Sequence, residues 1–219
     1  MKKPITDVAV LYVDPRGPYP KKVVHWYDEK KNALTYDGDL PVVAHPPCGL
    51  WGNVKHLCKR PSSEKALAMD AVGVVRRLGG VLEHPANSTL WKNANLKLPP
   101  KFIAPTGGRR AWMKTTGRPE KDAWGGYTLE VEQVNWGHPA RKRTWLYIVG
   151  CSPIDLPKIP PSREPTHWIS GGRKERPGKP GGTVPDGIKV CSAQQRRRTP
   201  DAFADWLIEV ARRCRKQAP

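Results

Sequence analysis

Cysteine pairs, long apolar runs and acidic residues are what this sequence has least of. Its five cysteines, Cys48, Cys58, Cys151, Cys191 and Cys214, are odd in number and widely spaced, with no Cys-x-x-Cys pair. That argues against a disulfide framework and predicts free thiols. No apolar run exceeds strand length and no basic amphipathic helix of interfacial length is present, which argues against a membrane role. The opening Met-Lys-Lys-Pro lacks the apolar segment and small-residue cleavage site of a secretory signal, so a cytoplasmic protein is expected. Only two phenylalanines accompany nine tryptophans. Trp in a basic chain either packs core and rim or stacks on bases and guanidinium planes.

What the chain has in excess is positive charge: 38 Lys and Arg against 20 Asp and Glu give +18. A surface field of that sign attracts polyanions, and nucleic acid is the expected partner. With 219 residues and no internal repeat, the chain suits one domain with long insertions.

Along the chain, residues 7–13 form an apolar run of strand length that Asp14-Pro15-Arg16-Gly17-Pro18 stops. Leu40 to Ala44 is a second short run, and it leads directly into His45-Pro46-Pro47-Cys48. Pro61-Ser62-Ser63-Glu64 opens a helix in which Leu67, Ala71, Val74, Val75 and Leu78 recur at helical spacing, and Gly79-Gly80 stop it. A third strand, Val81-Leu82, ends in Glu83-His84-Pro85. This βαβ rhythm predicts an α/β sheet whose parallel strands put both Pro-containing loops on one edge, where such sheets bind ligands. Two further strands are expected over 127–134 and 144–149, with a basic loop over 105–126. Residues 151–198 are dominated by Pro, Gly, Lys and Arg and are expected to form a long basic loop or insertion. Thr199 as N-cap and Pro200 at the first helical position begin a last helix with Phe203, Trp206, Leu207, Val210 and Ala211 on one face.

His45, Cys48, His56 and Cys58 spell a spacing that is not one of the common zinc arrangements, so no metal is expected. The His-x-Glu and Pro-Cys-x-x-Cys signature of zinc deaminases is absent.

Three stretches taken together, in this order, resemble the DNA cytosine C5-methyltransferases, most closely the compact versions common in bacteriophage genomes. His45-Pro46-Pro47-Cys48 is similar to that family's Pro-Cys nucleophile loop, and Glu83-His84-Pro85 to its Glu-Asn-Val or Glu-Asn-Pro motif. Arg141-Lys142-Arg143 with Trp145 to Gly150 is similar to its Gln-x-Arg-x-Arg strand, and the segment from Arg198 to its final helix. The resemblance implies a Rossmann-like, methyltransferase-type sheet with helices on both faces. Residues 1–150 would form the catalytic core, 151–198 the basic insertion, and 199–219 a C-terminal helix packing back on the core.

It further implies that Cys48 adds as a thiolate to C6 of cytosine, which pushes electron density onto C5. His45, Arg141 and Arg143 are the expected cations that lower its pKa, and Glu83 the group that reads N3 and the exocyclic amine. The target base must be flipped out or already single-stranded. Arg109, Arg110, Arg118, Lys121, Arg196, Arg197 and Arg198 are expected phosphate contacts on DNA.

The sequence departs from the family's pattern near its start. The Gly-rich loop that cradles S-adenosylmethionine is missing, and Pro15, Pro18 and Pro20 remove N–H donors from the loop that replaces it. The expected fold is therefore truncated in its N-terminal cofactor half. Any cofactor pocket is expected between Asp14, the loop at Pro46, and Thr199, with Asp14 as the ribose partner. The large target-recognition domain is missing too. Three functions remain open at this point: methyl transfer to C5 of cytosine in DNA, a different C5-pyrimidine modification with another donor, and a DNA-binding protein that has lost catalysis.

Overall fold

The computed structural model describes residues 3–52, 56, 58–100, 118–169 and 187–214. Six strands form the central sheet: β1 (Ile5–Leu11), β2 (Val23–Tyr27), β3 (Val42–Ala44), β4 (Gly80–Pro85), β5 (Tyr127–Glu132) and β6 (Arg143–Val149). Their order is β2-β1-β3-β4-β6-β5. The first four run parallel, and β6 is inserted antiparallel between β4 and β5. The chain leaves β1 toward β2 on one side and returns to β3 on the other. The carboxyl ends of β1 and β3 are therefore the point where the strand order reverses, the place at which open α/β sheets take ligands.

Period-two alternation assigns the two faces. Val8 and Val10 of β1, Val43, Val81, Leu146 and Ile148 point to one side, where they pack with Phe203, Leu207 and Val210. Ala9 and Leu11, Val42, Ala44, Leu82 and Tyr147 point to the other, with Ala71, Val75 and Leu78. The first set meets α4 (Asp201–Arg213) and the second meets α1 (Glu64–Leu78); α2 (Leu90–Asn93) and α3 (Ala193–Arg197) are short. The expected α/β sheet with helices on both faces is thus the observed one. Each fully buried Leu or Phe in these layers stabilises the fold by about 2 kcal/mol.

The Gly79-Gly80 stop has a steric basis. Gly79 caps α1 at φ 78°. At Gly80, φ is 125° and a Cβ would lie 2.0 Å from the Val42 carbonyl oxygen, so only glycine lets β4 start this close to β3.

Three element boundaries differ from the sequence reading. β1 ends at Leu11, where Tyr12 turns the chain at φ 61° and donates its hydroxyl to Asp70 on α1. β2, an edge strand of five mixed residues between Lys22 and Asp28, was not expected at all. At α4 the cap position is held by Pro200 rather than Thr199, and no side-chain cap is made.

Within the described parts of 151–198, β7 (His167–Trp168) pairs in parallel with β8 (Lys189–Val190), and α3 starts in a capping box of Ser192 and Gln195. Two neighbouring residues anchor this segment: His138 Nε2 donates to the Gln195 carbonyl, and the Pro139 carbonyl accepts from the Thr166 and His167 N–H groups. Arg109 and Arg110 lie outside the described residues. No described helix is long and apolar enough to cross a membrane.

Candidate active site

β3 is three residues long and wholly buried, and it aims the loop beyond it: the His45 N–H extends the ladder to the Leu11 carbonyl, and Pro46 is buried behind it. Cys48 then heads a tight turn, its carbonyl accepting from the N–H groups of Trp51 and Gly52. The Trp51 carbonyl in turn accepts from Thr89, which ties the loop to the start of α2. Cys58 packs close to this turn, its Sγ lying 2.8 Å from where a Cβ at Gly49 would stand.

Glu83 sits on β4, the neighbour of β3, with 11% of its side chain exposed. His45 Nδ1 is 3.0 Å from its Oε2. Gln133 Nε2 donates to its Oε1 at 3.1 Å and to Thr144 Oγ1 at 3.0 Å. Burial by itself would raise the Glu83 pKa. The His45 hydrogen bond, the Lys142 charge and the His45 charge outweigh burial and bring it down to about 2. His84, the next residue, is fully buried beside Trp91 and pushed down to about 4 by that burial, against the pull of the Glu83 charge. It is a neutral imidazole at the back of the site.

Cys48 presents surface to solvent, yet desolvation around its thiol and the Glu83 charge push its pKa up. Lys142 and Arg197 act in the opposite direction without prevailing. The three residues expected to act on Cys48 each have a carboxylate partner. His45 is committed to Glu83 and to Tyr19, whose hydroxyl lies 2.7 Å from its Nε2. Arg141 pairs with Glu132 at 3.0 Å and Glu164 at 3.9 Å, and Arg143 with the buried carboxylate of Glu130 at 2.6 Å. Lys142, between Arg141 and Arg143, acts through its charge on both Cys48 and Glu83.

The expected cofactor residues are also rearranged. Asp14 is exposed and held by the Arg16 side chain and backbone N–H, which lower its pKa. The acid buried at a strand end is Asp28, which closes β2 and accepts from the Lys31 N–H. Val13 N–H binds the Tyr27 carbonyl, so Asp28 stands next to the end of β1. Pro46 lines the Cys48 loop, whereas Thr199 makes no helix cap.

Of the expected phosphate contacts, Arg118, Lys121, Arg196, Arg197 and Arg198 are exposed. Arg196 donates to the Cys191 carbonyl, and Lys142 Nζ reaches the Arg198 carbonyl at 3.5 Å. The basic end of α3 is thus brought against the Cys48 side of the sheet. Among the described residues no group of His, Cys, Asp and Glu is arranged to hold a metal ion.

Tyr19, Gln133 and Lys142 were missed by sequence reasoning. Only Lys142 had a signal, its place inside Arg141-Lys142-Arg143; Tyr19 is hidden among prolines, and Gln133 is one polar residue past a strand.

No protein-family model matches the chain, and no curated protein does. A solved structure matches at 10% identity and a TM-score of 0.36 over 78% of this chain: a prophage-encoded E. coli protein whose description as a DNA modification methyltransferase is itself provisional. The chain spans 58% of the length of that structure.

Proposed function

We propose that the protein modifies cytosine in DNA at C5, with Cys48 as the nucleophile and a methyl group as the group transferred. The observation that carries this reading is the juxtaposition of Cys48, an exposed residue on the loop beyond β3, with the Glu83 carboxylate on adjacent β4, whose charge acts on the thiol. A flipped-out base entering over Cys48 would meet Glu83 at its floor, as acid–base work on the ring nitrogen requires. Lys142 stabilises negative charge on both groups. Burial and the Glu83 charge favour the Cys48 thiol, whereas Lys142 and Arg197 favour the thiolate that adds to C6.

The methyl donor of this reading is S-adenosylmethionine, which would supply the electrophile for C5. The chain's residues fit it at the ribose end, where Asp28 ends β2 in the way nucleotide-binding sheets use an acid. Asp28 therefore replaces Asp14 as the proposed ribose partner. After β1 the fit is poor: Pro15, Pro18 and Pro20 carry no N–H, and Tyr19 is buried. This second observation favours, as the alternative, the same thiolate addition with another donor.

Nucleoside mass spectrometry of DNA from cells expressing the protein tests the proposal. A modified cytosine present with wild type and absent with Cys48→Ser is the expected result, and the added mass identifies the transferred group. Unmodified DNA in both would overturn it.

A further inference from the structure

The two oxygens of Glu83 are not equivalent. Oε1 accepts from the Gln133 amide, which has no proton to give, whereas Oε2 faces His45 Nδ1. Among the described residues, His45 is the titratable hydrogen-bond partner of Glu83. Behind it, Tyr19 is 3% exposed, its ring centroid 5.1 Å from that of His45 and its hydroxyl on Nε2. Burial, and then the charges of Glu83 and Asp205, hold the Tyr19 phenol well above its ordinary pKa, so it stays a neutral hydroxyl. A hydroxyl can turn. It accepts from Nε2–H in the charged ring and in the neutral ring left once Nδ1 has given its proton, and donates to Nε2 only in the tautomer that keeps Nδ1–H, so Tyr19 seats His45 in each state.

The proposed addition to cytosine needs a proton at N3 at the moment Cys48 adds. Glu83 alone has none to give near neutral pH, because its environment keeps it ionised. We propose that Tyr19, His45 and Glu83 form a proton relay in which His45, seated by Tyr19, supplies the proton that Glu83 delivers to the base. The inference rests on the cytosine-addition reading above. As the Cys48 Sγ–C6 bond forms, the C5–C6 π pair shifts through the ring, His45 gives its Nδ1 proton to the Glu83 carboxylate at Oε2, and Glu83 passes that proton to N3, so Glu83 begins and ends the step as a carboxylate. Thiolate, imidazolium and cytosine become thioether, neutral imidazole and a neutral enamine, so charge and protons balance. His45 is a positioning residue here, acting through Glu83. The charged and titratable groups around the pair are Tyr19 before β2, Cys48 on the same loop, His84 on β4 and Lys142 before β6, with Arg197 and Asp205 further out.

Rates of covalent adduct formation with an oligonucleotide carrying 5-fluorocytosine, measured across pH in the presence of S-adenosylmethionine, test the relay. Wild type should show a limb on which the rate falls as the proton carried by His45 is lost. His45→Gln should be slower by roughly 100-fold and should lack that falling limb. A slowed variant whose profile parallels wild type would reduce His45 to a scaffold and overturn the relay while leaving the addition chemistry intact. No adduct with wild type at any pH would overturn the addition reading, and the relay with it. Should His45→Gln not fold, 15N NMR of histidine-labelled wild type decides: at a pH where free His45 is charged, adduct formation should convert its ring to the neutral form. An unchanged charge state would overturn the relay.

Discussion

Replacing Glu83 by Gln removes one charge from the most enclosed part of the site, and its consequences can be worked out in sign and size. The carboxylate accepts from His45 on one oxygen and from Gln133 on the other. A glutamine offers one acceptor and one donor, so one of those two donors faces another donor. Leaving a buried group unsatisfied costs about 1–3 kcal/mol. The pH dependence separates this from a simple packing defect. With its folded pKa lowered from 4.5 to about 2, Glu83 contributes stability that is present above pH 4.5 and lost as pH falls toward 2. The full shift corresponds to about 3 kcal/mol, which sets the upper size of the effect. Urea midpoints of wild type and Glu83→Gln, taken from about pH 7 down to about pH 3, should therefore lie far apart at neutral pH and converge in acid. The variant should also form adducts with fluorinated DNA at least about 100-fold more slowly. A stability gap that stays constant with pH would show that Glu83 is not held ionised, and the electrostatic account of the site would fail.

DNA affinity should fall steeply with salt, by about 1000-fold between about 50 and about 200 mM if six phosphates are neutralised; an affinity independent of salt in a filter-binding or anisotropy titration would refute the basic-face reading. Gly80→Ala should destabilise by about 3 kcal/mol or more in chemical denaturation, because its Cβ meets the Val42 backbone rather than a movable side chain; a change below 1 kcal/mol, on the order of a surface substitution, would contradict the close β3–β4 approach. Calorimetry with S-adenosylhomocysteine should show binding that Asp28→Ala weakens and Asp14→Ala leaves unchanged; the reverse ranking would restore Asp14 as the ribose partner.

Much of the scaffold was legible because its signals are local. The helical spacing from Leu67 to Leu78 and its Gly79-Gly80 stop mark α1, and the buried run before His45 marks β3. β2 was not legible, since Val23–Tyr27 carries His25 mid-strand and pairs on one side only, giving neither a clean alternation nor a long apolar run. At the proposed site, the motifs single out Cys48 and Glu83, which the fold sets on a loop and a strand beside each other, but their electrostatics could not be read from sequence. Arg141 and Arg143 appeared available as cations until the strand pairing set them beside Glu132 and Glu130. Lys142, in the turn before β6, acts on the thiol through its charge, and that turn leaves no mark in composition. Tyr19 reaches His45 across 26 residues of sequence, a contact that only the closed fold creates.

Covalent trapping tests the central claim most directly. Oligonucleotides with 5-fluorocytosine, incubated with the protein and S-adenosylmethionine and then resolved under denaturing conditions, should give a shifted protein–DNA band. The fluorine cannot leave as a proton once C6 carries the thiolate and C5 the methyl group. Wild type should give that band, and peptide mapping should place the linkage on Cys48, whereas Cys48→Ser should give none while still binding DNA. Equal bands from wild type and Cys48→Ser, or a linkage mapped to another residue, would contradict the account.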